Sequence, residues 1–309
     1  MNLEVFILGT GGMMPLPRRF LTSVLVRREG ELFLFDCGEG TQVSLKMLNL
    51  RWKQISSIFI SHMHADHVTG LPGMLMLSSQ VDRTKPLYIF GPRRIRQYVN
   101  ETRRILDMYI NYDIIVREID EPGIVWDEEE FTITCFWLNH TKPCLGYALI
   151  EKPRPGIFNP AQAEALGVPR GPLWSQLQHG LQVSTPDGRI VDPAEVLGAA
   201  RNGRKFTFVT DTAYLPTIAR EASGSDLFIC EGMFEHALEA AAREKKHLTS
   251  LQAATIARDA GGIDSLGLIH FSPRYTEREL RELLEEAKTV FPHTFLCRDR
   301  QTIPLLYKD

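Results

Sequence analysis

The segment Ser61-His62-Met63-His64-Ala65-Asp66-His67 places three histidines and an aspartate within six residues of a chain that has only nine histidines. Imidazole and carboxylate without thiolate are the donor types that suit zinc, and also manganese or iron. Residues two apart on extended chain point the same way, so His62 and His64 can reach one cation together. Asp66 and His67 then turn away and can face a second. The apolar run Ser57-Ile58-Phe59-Ile60 before this segment reads as a buried strand, and Val68 to Gly73 leads into the apolar Met74-Leu75-Met76-Leu77. The cluster therefore sits where a strand ends and a helix or turn begins.

Other residues of ligand type also stand at strand ends. His140 follows the strand expected over 131–138, Asp211 the strand over 206–209, and His270 the strand over 265–269. Further strands are expected over 3–8, 21–27, 32–35, 87–90, 114–117, 146–150 and 227–230. Helices are expected up to Leu48 and over 92–108, 237–245, 250–259 and 277–288. Recurring strand, polar turn and helix is the texture of an α/β layered fold, in which sites collect at one edge. Gly9-Thr10-Gly11-Gly12 reads as a tight turn after the first strand. A phosphate-cradling loop is the weaker reading, because both the GxGxxG spacing and a following Lys-Ser/Thr are missing. Asp36, at another strand end, reads as a buried partner for a histidine. The helix over 92–108 carries Arg93, Arg94, Arg96, Arg103 and Arg104, read as a solvated face.

From Glu151 to Val191 proline and glycine punctuate the chain and apolar periodicity is poor. The stretch is too long for an ordinary connector and reads as an inserted arm, residues 151–191, within a single domain over 1–309. The 309 residues suffice for a sizeable core, and a net charge of −3 does not by itself announce a nucleic-acid partner. Five scattered cysteines without a CxxC pair argue against a disulfide framework. No apolar run approaches a membrane span and the N-terminus does not read as a signal peptide, so a reducing cytoplasmic setting is expected.

The pattern His62-x-His64-x-Asp66-His67, followed in order by His140, Asp211 and His270, resembles the metal-binding signature of the metallo-β-lactamase superfamily. Within it the chain resembles the short-form ribonuclease Z (tRNase Z) family. The resemblance runs almost end to end, through Phe35 to Gln42, Ser61 to Gly73, Thr210-Asp211-Thr212, His247-Leu248-Thr249 and His270 to Tyr275. Leu166 to Leu173 is similar to the glycine–proline part of that family's tRNA-binding arm. The resemblance implies a four-layer αββα sandwich with an inserted flexible arm. It implies two Zn2+ ions per chain, with Mn2+ or Fe possible substitutes. His62, His64 and His140 would hold one, Asp66, His67 and His270 the other, with Asp211 bridging. It further implies that Asp66 orients or deprotonates the attacking water, and that His247 and Glu231 assist proton delivery to the leaving group. Two departures stand out. Cys230-Glu231-Gly232-Met233 replaces a His-Glu-Ala-Thr-like run, and Phe20 stands where asparagine is common.

The implied activity is endonucleolytic removal of 3′ trailers from precursor tRNA, leaving a 3′-hydroxyl on the tRNA and a 5′-phosphate on the trailer. A metal lowers the pKa of bound water towards about 7, which supplies a nucleophile at neutral pH. Lys152, Arg154 and Arg170, with Gly171 and Pro172, are the expected arm residues for binding the polyanion. The family is usually a homodimer whose arm serves the partner's active site. The competing reading is a small-molecule hydrolase of the same fold, acting on a phosphodiester, sulfate ester or lactone. A non-catalytic RNA-binding protein would have no reason to keep seven ligand-type residues.

Overall fold

The computed structural model describes residues 2–80 and 83–308. The chain divides into two compact units, one comprising Met1–Asp127, Thr132–Ile150 and Lys205–Leu306, the other Glu128–Phe131, Glu151–Arg204 and Tyr307–Asp309.

The first unit holds two seven-stranded sheets. In chain order it runs β1 (Leu3–Gly9), β2 (Ser23–Arg28), β3 (Glu31–Phe35), α1 (Thr41–Met47), β4 (Ile55–Phe59), α2 (Ala65–Val68), α3 (Leu71–Ser79), β5 (Leu87–Gly91), α4 (Ile95–Ile105) and β6 (Ile114–Glu118). These strands, closed by a C-terminal one, make the first sheet. The second is opened by β7 (Gly123–Asp127), β8 (Phe131–Leu138) and β9 (Cys144–Glu151).

The second unit inserts here, with α5 (Pro160–Ala165), α6 (Pro172–Gln178) and the two-residue pair β10 (Val183–Ser184) and β11 (Ile190–Val191). The first unit then resumes with β12 (Lys205–Val209), α7 (Pro216–Ala222), β13 (Leu227–Glu231), α8 (Glu239–Lys245), α9 (Ser250–Ala260), β14 (Ser265–Ile269), α10 (Glu277–Lys288), β15 (Thr294–Leu296) and β16 (Thr302–Leu305). The sheet orders are β16-β1-β2-β3-β4-β5-β6 and β15-β14-β13-β12-β9-β8-β7.

Period-two alternation in β3 shows how the layers form. Leu32 and Leu34 face a helix-side cluster with Leu45 of α1, Leu71 and Met74 of α3, and Ile95 and Val99 of α4. Phe33 and Phe35 point the other way, towards the second sheet. There Phe35 meets Tyr147, Phe206 and Phe208 at centroid distances of 5.9, 5.5 and 6.1 Å, and Phe59 meets Tyr147 at 5.5 Å. Such tilted pairs contribute about 0.5–1.5 kcal/mol each beyond area burial. Behind the second sheet, Ile218 of α7, Ala254 and Ala257 of α9, and Leu280 and Leu283 of α10 cover Phe228, Leu266 and Leu268. The layers are helix, sheet, sheet, helix, as the sandwich expectation requires.

Strand pairing decides where the site must be. β3, β4, β5 and β6 are parallel, as are β12, β13, β14 and β15. β1 runs parallel to β3 through two antiparallel steps, so the turn after β1 opens on the same side as the turns after β3 and β4. The sequence reading omits β7, β15 and β16. β16 contains Pro304 and lies at a sheet edge, where a missing backbone donor costs nothing, and its partner β1 is almost the whole chain away.

The second unit carries its own small core of Ala163, Val168, Leu177, Val183, Val191 and Val196, with Phe158 against Trp174 at 5.2 Å. Its elements are two to seven residues long, too short to show a period in sequence. A buried Glu151–Arg204 ion pair at 2.8 Å and the Tyr307 ring, beneath the guanidiniums of Arg154 and Arg204, belong to the same unit.

Candidate metal centre

The turns after β4, β12 and β14, with His140 two residues past β8, bring all seven ligand-type residues together. The ligand atoms of His62, His64, His140 and Asp211 lie within 4.8 Å of one another, and so do those of Asp66, His67 and His270. Asp211 divides its oxygens between the groups. Oδ2 lies 3.6 Å from His62 Nε2 and 3.6 Å from His140 Nε2, whereas Oδ1 lies 3.4 Å from His67 Nε2 and 3.1 Å from His270 Nε2. Asp66 Oδ2 is 3.7 Å from His67 Nε2 and accepts the Met13 N–H at 2.7 Å.

The opposite ring nitrogens are tied down, and the ties set the tautomers. Ser61 Oγ donates to Asp36 Oδ2, so it accepts from His62 Nδ1 at 3.0 Å. Thr22 Oγ1 donates to the Gly11 carbonyl, so it accepts from His270 Nδ1 at 2.8 Å. His67 Nδ1 donates to Asp36 Oδ2 at 2.7 Å, and His140 Nδ1 to the Lys246 carbonyl at 2.9 Å. All four rings thus carry the proton at Nδ1 and turn the Nε2 lone pair inward. His64 presents Nδ1 instead, 2.9 Å from His62 Nε2 and 3.1 Å from His140 Nε2.

Lone pairs this close repel unless a cation sits among them. The buried Nε2 atoms of His67 and His270 have no hydrogen-bond partner. Orphaned acceptors in a dry interior are costly, and a divalent metal at each group would satisfy them. The donor set therefore fits the group that the superfamily implies.

Protonation agrees. Burial, then neighbouring imidazoles, push His62 well below its ordinary value and bring His64 down to about 4. Burial opposes ionisation of Asp211, but His270, His67 and His62 hold it well below the usual carboxylate range.

Local structure supports each piece. The turn after β1 crosses so close to His270 that a Cβ on Gly12 would lie 2.7 Å from the ring, so this glycine packs against a ligand-type residue. Asp36 and His270 both have positive φ, at 55° and 63°. Such strain in non-glycine residues clusters at functional sites. Asp36 also takes the Ser61 N–H at 2.7 Å, which makes it the hub of the loop. Asp36→Ala is expected to weaken metal retention by about 10- to 100-fold, the usual cost of losing such an outer partner. Competition of the variant and the parent protein with a calibrated chelator measures it.

His247 stands beside the cluster, with Nε2 3.9 Å from Asp211 Oδ2. Its Nδ1 donates to Glu231 Oε2 at 3.0 Å, while Glu231 Oε1 takes the Thr212 N–H at 2.6 Å. Burial pulls His247 down, but the Glu231 carboxylate carries it up to about 9. Thr249 caps α9 reciprocally with Gln252, which fixes the chain just after His247. Glu231 is fully buried behind the ring, so it acts as a positioning group, on His247 and on the Thr212 N–H beside Asp211.

A cavity of about 450 Å³ opens onto His64, Asp66, His140, Asp211, His247 and His270. Its wall also includes Met13, Phe234, Lys245 and Arg274, to which the sequence reading gives no role. Arg274 lies inside a motif that carries the resemblance, and that was the available signal. It lies over the Phe234 ring at 5.1 Å.

The five arm residues lie in the second unit. Arg170 pairs with Glu164 at 2.6 Å and Arg154 lies 3.3 Å from the Tyr307 centroid. Lys152 Nζ donates to the Glu128 carbonyl at 2.5 Å, and Gly171, with φ of 139°, precedes Pro172 at the start of α6.

The chain was compared with known proteins. Ribonuclease Z of Treponema denticola is 63% identical over 309 residues, 100% of each chain. This chain belongs to the ribonuclease Z family. The ribonuclease Z of Borrelia hermsii is 43% identical over 97% of this chain and 96% of that protein. The crystal structure of human tRNase Z, short form, matches with a TM-score of 0.71 and 26% identity, over 97% of this chain and 98% of that one. The metallo-β-lactamase fold protein YhfI from Bacillus subtilis shares the fold, with a TM-score of 0.66 and 20% identity over 98% of this chain and 100% of that one. A family model described as anti-Pycsar protein Apyc1 matches residues 3–113. The His/Asp cluster of this ribonuclease Z family member is a divalent-metal site in kind. Among the described residues, no helix is long and apolar enough to cross a membrane.

Proposed function

We propose that this endoribonuclease removes 3′ trailers from precursor tRNA using two metal ions, zinc in the first instance. The observation that carries the reading is Asp211, whose two oxygens face two separate ligand groups. His62, His64 and His140 would hold one ion, Asp66, His67 and His270 the other, and Asp211 would join them. When bound, the metals supply an activated water and neutralise phosphoryl charge.

The protein's own groups supply the rest. Asp66, anchored on the Met13 N–H, offers a carboxylate oxygen to orient the attacking water. Lys245 and Arg274 line the cavity and attract the phosphodiester. His247 holds a proton at Nε2, with Nδ1 committed to Glu231, and delivers it to the leaving 3′ oxygen. Glu231 positions the ring.

We further propose that the arm over 151–191 grips the tRNA apart from the cleaved bond, in a cytoplasmic homodimer. The Arg170–Glu164 pair is exposed, and such pairs are worth about 0–1 kcal/mol, so a phosphate can displace the glutamate. Lys152 and Arg154 would act beside it, with Gly171 and Pro172 setting the turn.

The test uses an arm replacement. Arg154 and Arg201 exchange backbone hydrogen bonds of 2.8 and 2.9 Å, so a short Gly-Ser linker in place of residues 156–199 joins ends already adjacent and removes the small core entire. The expected result is unchanged hydrolysis of bis(4-nitrophenyl) phosphate and retention of two metal equivalents by elemental analysis. Affinity for precursor tRNA should fall sharply, with a shallower salt dependence. Unchanged tRNA affinity and salt slope would remove the arm from recognition and favour the small-molecule hydrolase.

A further inference from the structure

A second cavity of about 420 Å³ in the first unit shares no ligand-type residue with the metal centre. Five arginines, Arg18, Arg19, Arg281, Arg298 and Arg300, face two carboxylates in its wall. Both carboxylates are engaged. Glu277 pairs with Arg19 at 3.2 Å, and Asp299 accepts Thr10 Oγ1 and the Phe20 N–H at 2.6 Å each. Arg19 is itself buried and directed to the Ser272 and Tyr275 carbonyls, each at 3.4 Å, so it serves as wall.

Among the described residues, none of the other four guanidiniums is in an ion pair, although Arg300 stands near enough to Asp299 to favour its ionisation. Arg300 lies 6.0 Å from the Phe20 ring centroid. It also holds a left-handed backbone, with φ of 68°, and its N–H donates to the Ile7 carbonyl at 2.7 Å. An arginine gains nothing local from that conformation, and the strain persists because the turn is pinned at Asp299 and Ile7. Unpaired like charges around one concavity repel one another and lower stability unless something anionic enters.

We infer that this cavity is a phosphate site that takes a ligand with two or more adjacent phosphates. Guanidinium forks bind phosphate oxygens in pairs, and four of them exceed what one phosphate requires. The phosphates could come from a run of RNA backbone or from a free polyphosphate. Only the RNA source rests on the ribonuclease reading.

Inorganic pyrophosphate and precursor tRNA separate the sources. Arg281 and Arg298 are exposed, so Arg281→Gln with Arg298→Gln should keep or slightly raise the thermal midpoint of the ligand-free protein and keep the hydrolysis of bis(4-nitrophenyl) phosphate. Calorimetric titration of metal-loaded protein with pyrophosphate at low salt is expected to give an affinity at least about tenfold weaker in the double variant, as charge-assisted bonds are lost. Any binding at the metal centre is common to both proteins and cancels in the comparison. A parallel rise in KM for precursor tRNA, at constant kcat, assigns the site to the substrate's backbone. An unchanged KM assigns it to a free polyphosphate ligand. Equal pyrophosphate affinity in the two proteins overturns the site, whatever the tRNA kinetics show.

Discussion

Asp66→Ala is expected to abolish cleavage of precursor tRNA and of bis(4-nitrophenyl) phosphate alike. The carboxylate does two jobs in the geometry. It stands 3.7 Å from His67 Nε2 and 3.9 Å from His270 Nε2, and it holds the turn after β1 through the Met13 N–H. Loss of a ligand should exceed the roughly 10²-fold upper cost of losing an outer partner. The fold should survive, because Asp66 lies in the first turn of a four-residue helix at the rim of the cavity rather than in either apolar cluster. Circular dichroism and elemental analysis accompany the kinetics. A folded variant with near-parental turnover would show that the attacking water is organised elsewhere. Loss of one metal equivalent with the other retained would further support two separate ligand groups.

His247→Ala has the second largest expected effect, a slowing of precursor tRNA cleavage by about 10²–10⁴-fold, the usual worth of a positioned acid. The leaving 3′ oxygen of RNA is a poor leaving group without a proton, and a nitrophenolate is a good one. The loss on bis(4-nitrophenyl) phosphate should therefore be much smaller. Equal losses on both substrates would make His247 a structural member of the cluster. Glu231→Gln tests the positioning role. It keeps a hydrogen-bond partner for Nδ1 but removes the charge that carries the imidazole up to about 9, so its loss on tRNA should lie between the parent and His247→Ala.

The densest part of the site is legible in sequence because it is local. His62, His64, Asp66 and His67 lie within one loop and one helical turn, and alternation on extended chain already separates two directions. The layers are legible for a similar reason. Leu32, Phe33, Leu34 and Phe35 form the continuous apolar run of a strand buried on both faces. His140, Asp211 and His270 could be nominated because each follows such a run.

What sequence cannot show is how the candidates are held. Asp36 is legible from its strand end as a buried partner for a histidine, though not that the histidine is His67. The groups that fix the other tautomers, Thr22 for His270 and the Lys246 carbonyl for His140, come from elsewhere in the chain without such a signal. The last is a backbone atom with no side-chain signature at all. The division of the Asp211 oxygens, the burial of Glu231 behind His247 and the entry of Arg274 into the cavity likewise arise only when two sheets stack and their turns meet. The arginine cavity joins Arg18 to Arg298, nearly opposite ends of the chain, so no window of sequence contains it. Sequence determined which residues could do chemistry, because donor type and local spacing are properties of the chain. Tertiary structure decided which of their atoms face one another, because direction, protonation and burial are set by partners brought from distant strands.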